Sequence, residues 1–258
     1  MAMNPVILHI PHAATDIPAD EMDLYEVPRE RLAYENLRLA DLYTDELYDL
    51  SGAARAVFAL SRFCVDVERF SDDAQESMAA RGMGALYRVG VDLNVIRPDI
   101  PGDRAQRLLD RYYWPHHNAL DALALERLER FGECLVFDCH SYPSKPLAYE
   151  LGNASLPRPQ IGIGTDPFHT PPALAQAMAE GFRARGYDVG LDTPFTGALV
   201  PNAAYGRDAR VMGVMIEVRK DLYMDEETGR KNNDFPRIRD DLREIMAGAA
   251  RKILKNPA

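Results

Sequence analysis

The stretch Val-Met-Gly-Val-Met-Ile-Glu-Val at residues 211–218 is apolar except for Gly213 and Glu217. Such a run is typical of a strand buried on both faces of a parallel sheet. Shorter runs of the same kind predict further strands at Val6–Ile10, Ala56–Leu60, Phe63–Val67, Cys134–Cys139, Ile161–Gly164 and Tyr187–Leu191. Segments with helical periodicity alternate with them at Arg29–Leu50, Arg104–Phe131, Pro171–Arg185 and Phe235–Leu254. This alternation predicts an α/β fold with a largely parallel sheet covered by helices on both faces.

The composition is that of a globular protein, with 47% hydrophobic and 27% charged residues in a chain of 258. No linker or repeat divides the chain, so we expect a single domain over residues 1–258. The net charge of -10 argues against a nucleic-acid partner, because binding to phosphates normally requires a basic surface. The sequence carries no signal for an oligomeric state.

Three cysteines without CxxC spacing, and an N-terminal run too short for a signal peptide or a membrane span, favour a reducing compartment. We therefore expect a cytoplasmic protein that binds no membrane. The segment Pro143–Pro159 is rich in proline and has no periodicity, so it is predicted to be a loop.

Polar residues recur where the predicted strands end, and ligands gather at the carboxyl ends of strands in open α/β sheets. These residues are His12, Asp66, Glu68, Arg69, Asp138, His140, Glu217 and Arg219. Two histidines and a carboxylate are the ligand set of a catalytic Zn²⁺ that keeps one position open for water. A second carboxylate could take a proton from that water, and an arginine could hold a substrate carboxylate through two hydrogen bonds.

A covalent mechanism is less favoured by the sequence. No GxSxG elbow is present. Cys139 and His140 are neighbours in a predicted strand, so their side chains should point to opposite faces. Structural roles remain open for several charged residues: Glu217 could pair with Arg219, and Arg62 and Arg69 could pair with Asp66 and Asp72.

Several motifs, taken together, resemble the N-formylglutamate amidohydrolase family. Val-Ile-Leu-His-Ile-Pro-His-Ala-Ala-Thr-Asp-Ile-Pro (6–18) is similar to its opening strand and "PHSG…P" turn, and Ser-Arg-Phe-Cys-Val-Asp-Val-Glu-Arg (61–69) to its "SR…DxNR" segment. Asp-Cys-His-Ser-Tyr-Pro (138–143) resembles its "DxHS" motif. Thr-Pro-Phe-Thr-Gly (193–197), Tyr205-Gly206 and Met-Ile-Glu-Val-Arg-Lys-Asp-Leu-Tyr-Met-Asp-Glu (215–226) resemble its C-terminal blocks. The motifs keep the family's order.

This resemblance implies a fold related to zinc carboxypeptidases and aspartoacylase-type deacylases. That fold is a phosphorylase/hydrolase-like three-layer αβα sandwich whose mixed, mainly parallel central sheet has one or two antiparallel strands. The resemblance also implies one Zn²⁺ held by His12 and His140, with Asp41 as the first choice for the third ligand and Asp16 as the second. Glu217 would be the general base.

The resemblance further implies substrate-binding roles for Arg69, helped by Arg62 or Arg219, and for His117 and Thr196. Two positions depart from the pattern. Glu68 stands where family members usually carry asparagine, and Thr15 stands where carboxypeptidase-like enzymes place a metal-binding glutamate.

The expected activity is hydrolysis of a linear amide bond in a small N-acyl amino acid. The resemblance favours N-formyl-L-glutamate, giving formate and L-glutamate, and thus a place in amino-acid catabolism such as histidine degradation. A zinc carboxypeptidase, another acyl-amino-acid deacylase and a non-catalytic binding protein on the same scaffold are the alternatives. Metal content would separate an enzyme from a binding protein, and a panel of acyl-amino acids would separate the deacylases.

Overall fold

The structure is a computed structural model that describes residues 3–150 and 155–255, so part of the predicted loop Pro143–Pro159 lies outside the described residues. The strands are β1 (Val6–Ile10), β2 (Ala54–Val57), β3 (Cys134–Tyr142), β4 (Ile161–Gly164), β5 (Val189–Leu191) and β6 (Val211–Arg219). The helices are α1 (Arg29–Leu39), α2 (Thr44–Leu47), α3 (Gly102–Leu108), α4 (Trp114–Phe131), α5 (Pro172–Ala184) and α6 (Phe235–Ile253). Most predicted elements are therefore confirmed, with shifted ends.

All six strands form one sheet in the order β2-β1-β3-β6-β4-β5. The first four strands in that order run parallel to one another. Strand β4 pairs antiparallel with β6, and β5 runs parallel with β4. Two strands thus run against the other four, which confirms the mixed, mainly parallel sheet.

Helices cover both faces of this sheet. Because successive side chains of a strand point to opposite faces, β1 sends Leu8 towards α5 and α6 but Ile7 towards α4. The core on the α5 and α6 side includes Phe137 and Ile216, whereas Val136 packs on the α4 side. The expected three-layer αβα sandwich is confirmed. Among the described residues, no helix combines the length and the apolar character needed to cross a lipid bilayer.

The predicted strand at Phe63–Val67 is wrong. This segment, which lies between β2 and α3 along the chain, forms turns and belongs to an apolar cluster separate from those that pack on the sheet. Side chains occupy its carbonyls: the Tyr25 hydroxyl donates to Phe63 O, and the Arg97 guanidinium donates to Cys64 O. An apolar run predicts burial, and here the burial is supplied by loops instead of neighbouring strands.

The predicted helix Arg29–Leu50 is too long, because the chain leaves the helix at Ala40 and resumes it at α2. The break is held by two contacts. Asp41 N–H donates to His12 O at 2.9 Å, and Lys220 Nζ donates to Ala40 O at 2.7 Å. The structure therefore places Asp41 in a turn between two helices, beside the segment that follows β1.

The predicted helical stretch Arg104–Phe131 is continuous in the structure but changes its hydrogen-bond pattern near its middle. Residues Leu109–Tyr113 form a π-helical turn between α3 and α4, and Pro115 lies in the first turn of α4. Proline has no N–H to donate within the helix, so a change of hydrogen-bond register just before it is expected.

Candidate active site

Parallel pairing brings the polar residues of three strands to one region of the sheet. His140 on β3 lies opposite Glu217 on β6, and His9 on β1 lies opposite Asp138 on β3. All four side chains point to the α4 face, because each is an even number of residues from a strand residue that packs there. His140 and Glu217 lie within the last residues of their strands, whereas the sequence suggested positions where the strands end.

The predicted metal ligands come together. His140 Nδ1 lies 3.1 Å from Asp41 Oδ2, and His12 Nδ1 lies 3.6 Å from the same oxygen. The three candidate ligand atoms lie within 4.8 Å of one another, and all three residues are buried. This group could hold a metal ion.

The other nitrogen of each histidine ring is hydrogen-bonded to a carboxylate. His12 Nε2 donates to Asp66 Oδ1 at 2.8 Å, and His140 Nε2 donates to Asp138 Oδ1 at 3.0 Å. Such bonds fix the tautomer that leaves Nδ1 free to bind a metal. His12 Nδ1 is indeed buried without a hydrogen-bond partner. An orphaned, inward-facing nitrogen next to a carboxylate fits a Zn²⁺ ligand set.

Between the two candidates for the third ligand, the structure brings Asp41 to the histidines. Burial alone would raise the pKa of Asp41, but the neighbouring His12 and His140 lower it, so the carboxylate is ionised. Asp16 is exposed and lines a separate cavity of about 440 Å³ beside α1.

Glu217 is buried, with 8% of its surface exposed, and it lines the same cavity as the three candidate ligands. Its Oε2 is shielded from solvent and has no hydrogen-bond partner. Burial, supported by the charges of Asp41 and Asp138, raises the pKa of Glu217 to about 8. A carboxyl group of this kind is suited to accept and return a proton near neutral pH.

The alternative in which Glu217 only pairs with Arg219 is wrong, because the Arg219 side chain points away from Glu217. Arg219 pairs with Asp221 at 2.8 Å and donates to Arg158 O at 2.7 Å. Arg219 is not among the residues that line the cavity. The structure therefore does not bring this predicted substrate-binding residue to the site.

Arg62 and Arg69 both line the cavity, and they differ in how they are paired. Arg62 donates to Asp66 Oδ2 through Nη2 at 2.8 Å and Nε at 3.1 Å. Arg69 has only long ion pairs, 3.9 Å to Asp66 and 3.7 Å to Glu76, and its buried Nε has no hydrogen-bond partner. Asp72, which the sequence offered as a partner, does not pair with either arginine. Arg69 thus retains donor capacity for a carboxylate.

The site opens into two adjoining cavities. One, of about 220 Å³, contains the candidate metal ligands and Glu217, and the other, of about 360 Å³, contains His117. Glu68, Arg69, Thr196 and Met215 line both cavities. Thr196, predicted to bind substrate, therefore lies at the boundary between the two spaces. His117 Nε2 contacts Val67 O at 3.0 Å, and burial lowers the pKa of this histidine.

Some residues that shape the site were not singled out from the sequence. The Tyr48 hydroxyl lies 2.8 Å from His140 O and 2.9 Å from Ile216 O, so it ties β3 to β6 just beneath the site. The Tyr87 hydroxyl donates to Asp66 Oδ2 at 2.5 Å. Neither tyrosine follows a predicted strand, so the pattern of polar residues at strand ends did not indicate them.

Comparisons with known proteins bear on what this site does. The family model described as N-formylglutamate amidohydrolase matches residues 4–224. A curated protein named N-formylglutamate deformylase, from Pseudomonas putida, is 27% identical over 233 residues, which cover 86% of this chain and 82% of that protein.

Solved structures agree with this match. The crystal structure of N-formylglutamate amidohydrolase from Ralstonia eutropha JMP134 is 25% identical and has a TM-score of 0.82, covering 98% of this chain and 95% of that chain. The gene product Atu2144 from Agrobacterium tumefaciens is 20% identical with a TM-score of 0.68, covering 98% of this chain and 92% of that chain, and shows the shared fold. The family match spans most of the chain and includes every candidate residue described above, so the chain belongs to the N-formylglutamate amidohydrolase family.

Proposed function

We propose that the protein is a zinc-dependent amidohydrolase that cleaves N-formyl-L-glutamate to formate and L-glutamate. Family membership supports the hydrolysis of an amide. The observation that carries the proposal is the convergence of His12, Asp41 and His140 on one side of a cavity that also contains Glu217. Three protein ligands and a nearby carboxylate are the arrangement found in hydrolytic zinc sites.

A Zn²⁺ bound by these three residues would supply a Lewis acid that acidifies water and polarises the acyl carbonyl. Within the protein, Asp66 and Asp138 orient the two histidines, and Tyr48 ties the strands that carry His140 and Glu217. These contacts support a site whose geometry is fixed before the substrate arrives.

Glu217 moves the proton in this proposal. Its unpartnered Oε2 accepts a proton from the attacking water as the new C–O bond forms at the formyl carbon. Glu217 then donates that proton to the nitrogen of glutamate as the C–N bond breaks. A nearby positive ion lowers the pKa of a buried carboxyl, so Glu217 would be ionised when water is attacked for its proton.

Arg69 is the residue that we expect to bind a substrate carboxylate. It lies between the two cavities, and its Nε has no hydrogen-bond partner among the described residues. Arg62, already paired with Asp66, adds positive potential to the same space. The smaller cavity suits a small acyl group, and the larger one could take the amino-acid part.

The test uses the purified protein loaded with Zn²⁺ and a panel of N-formyl-, N-acetyl- and N-succinyl-L-glutamate together with a blocked dipeptide. We expect release of formate to be fastest. An Asp41→Asn variant, nearly identical in shape, should lose turnover together with the ion held by His12, Asp41 and His140. Faster cleavage of another acyl group or of the dipeptide would reassign the substrate, and a zinc-loaded protein that cleaves none of them would contradict the enzyme proposal.

A further inference from the structure

A second group of candidate ligands lies next to the first, and only one of its members, Asp138, has a part in the proposed hydrolysis, as the partner of His140. It consists of His9, Glu68 and Asp138, whose candidate ligand atoms lie within 4.8 Å of one another. His9 Nδ1 is 2.9 Å from Asp138 Oδ1 and 3.1 Å from Glu68 Oε1. His9 and Asp138 are fully buried, and Glu68 is 17% exposed where it meets the two cavities.

The polar atoms of this group cannot fill one another's hydrogen-bonding capacity. A single ring nitrogen of His9 faces two carboxylate oxygens and can donate only one hydrogen. Glu68 Oε1 is shielded from solvent and makes no hydrogen bond, although it lies in ion-pair range of His9. Asp138 Oδ2 is already occupied, because Leu199 N–H donates to it at 2.8 Å. Two inward-facing oxygens and one nitrogen therefore remain around a common point.

The other nitrogen of the His9 ring, Nε2, makes a hydrogen bond that favours metal binding at Nδ1. His9 Nε2 lies 2.9 Å from His116 Nε2, so the two nitrogens share one hydrogen. When His9 donates that hydrogen, its Nδ1 presents a lone pair towards Glu68 and Asp138. An outer hydrogen bond that fixes the tautomer of a ring is typical of metal-binding histidines.

We propose that His9, Glu68 and Asp138 bind a second divalent transition-metal ion, distinct from the ion held by His12, Asp41 and His140. One nitrogen and two carboxylate oxygens suit Zn²⁺ or Mn²⁺. Asp138 Oδ1 lies 3.0 Å from His140 Nε2, so Asp138 would link the two sites. The proposal does not depend on which amide the protein cleaves.

The test is the metal content of protein that has been stripped with a chelator, reloaded with excess Zn²⁺ and desalted. Loading is done at pH 8.5, because a proton competes for His9: burial lowers its pKa, but Asp138 and Glu68 raise it to about 9. We expect two ions per chain in the wild type and one in Glu68→Gln, which keeps the shape but removes the charged ligand. Asp41→Asn should also retain one ion, since it affects only the first site.

A matched control is Glu76→Gln, which removes a different carboxylate from the larger cavity and should leave two ions. A single ion in the wild type, or two ions in Glu68→Gln, would overturn the proposal. If the wild type holds a single ion, an ion lost in Asp41→Asn but kept in Glu68→Gln would overturn only the second site. A single ion kept in Asp41→Asn but lost in Glu68→Gln would instead count against the proposed hydrolase.

Discussion

Glu217 combines burial, an unpartnered oxygen and a raised pKa, and these properties lead to a specific prediction. Glu217→Gln keeps the shape of the side chain but cannot accept a proton. We expect kcat to fall by roughly 10²–10⁴-fold while the zinc content and the melting temperature stay close to wild type. Turnover, elemental analysis and thermal unfolding are measured on the same preparation.

The informative control for Glu217 is its neighbour on β6, Arg219. Because Arg219 pairs with Asp221 outside the cavity, Arg219→Gln should leave kcat close to wild type. If Glu217→Gln were fully active with normal zinc content, the proton transfer would have to be assigned to another residue.

Arg69 allows a test of substrate recognition. Lysine at this position keeps the positive charge but loses the planar pair of donors, so binding should weaken by about 1.5–3 kcal/mol. The loss should appear in KM for N-formyl-L-glutamate and be absent for an analogue in which the bound carboxylate is an amide. Equal losses for both compounds would mean that Arg69 holds the loop through Asp66 and Glu76 instead.

The sequence predicted which residues form the site better than it predicted which of them contact one another. His12, Asp41 and His140 lie close together. Strand ends and motifs both pointed to the two histidines, whereas only the family resemblance pointed to Asp41. The partner of Arg219 was not predictable, since adjacent charges in a sequence do not reveal which way each side chain turns. The position of Glu68 beside His9 was not predictable either, because it depends on contact between residues almost sixty positions apart.

Among the secondary-structure elements, β4 shows how a glycine keeps the site open. A Cβ added to Gly164 would lie 2.3 Å from Gly197 O and 2.4 Å from Met215 Cε. Gly164→Ala should therefore displace the loop that carries Thr196. We expect unfolding free energy to drop by about 1–3 kcal/mol and KM to rise. Chemical unfolding and steady-state kinetics measure the two effects.

Gly248 in α6 is the matched control, because an added Cβ there has no neighbour closer than 4.0 Å. Gly248→Ala should stabilise the protein by about 0.5–1 kcal/mol, since alanine favours the helix, and leave KM unchanged. An unaltered KM in Gly164→Ala would show that the loop accommodates the methyl group.

The elements predicted with correct type were those with strong periodicity or long apolar runs, such as α6 and β6. The failures have physical causes. Phe63–Val67 is as apolar as a strand, but its carbonyls are occupied by Tyr25 and Arg97. Helix α1 ends at Leu39, and Lys220 stabilises this end by donating to Ala40 O. Because Lys220 is distant in sequence, no local pattern predicts where the helix ends.

Across the whole molecule, Lys220 joins the end of β6 to the end of α1 through hydrogen bonds to Arg38 O and Ala40 O. Burial lowers its pKa to about 8. An unfolded chain has the ordinary lysine pKa of about 10.4, so between these values it binds the proton that the folded protein has lost. The unfolding free energy should therefore rise with pH in this window.

Compared with Lys220→Met, the wild type should gain about 1.4 kcal/mol per pH unit between about pH 8 and 10. Urea unfolding of both proteins over this range measures the difference, and the variant removes the contribution of all other titrating groups. Parallel curves for the two proteins would mean that Lys220 stays charged when folded.

The strand order has a consequence for how the chain is synthesised. β6 lies between β3 and β4, yet it is the last strand to leave the ribosome. Until then, one edge of β3 exposes unpaired N–H and C=O groups, and β4 and β5 have no place in the sheet. A nascent chain stopped before residue 211 would thus expose a strand edge that can pair with other chains and aggregate. It would need shielding by a chaperone until translation finishes.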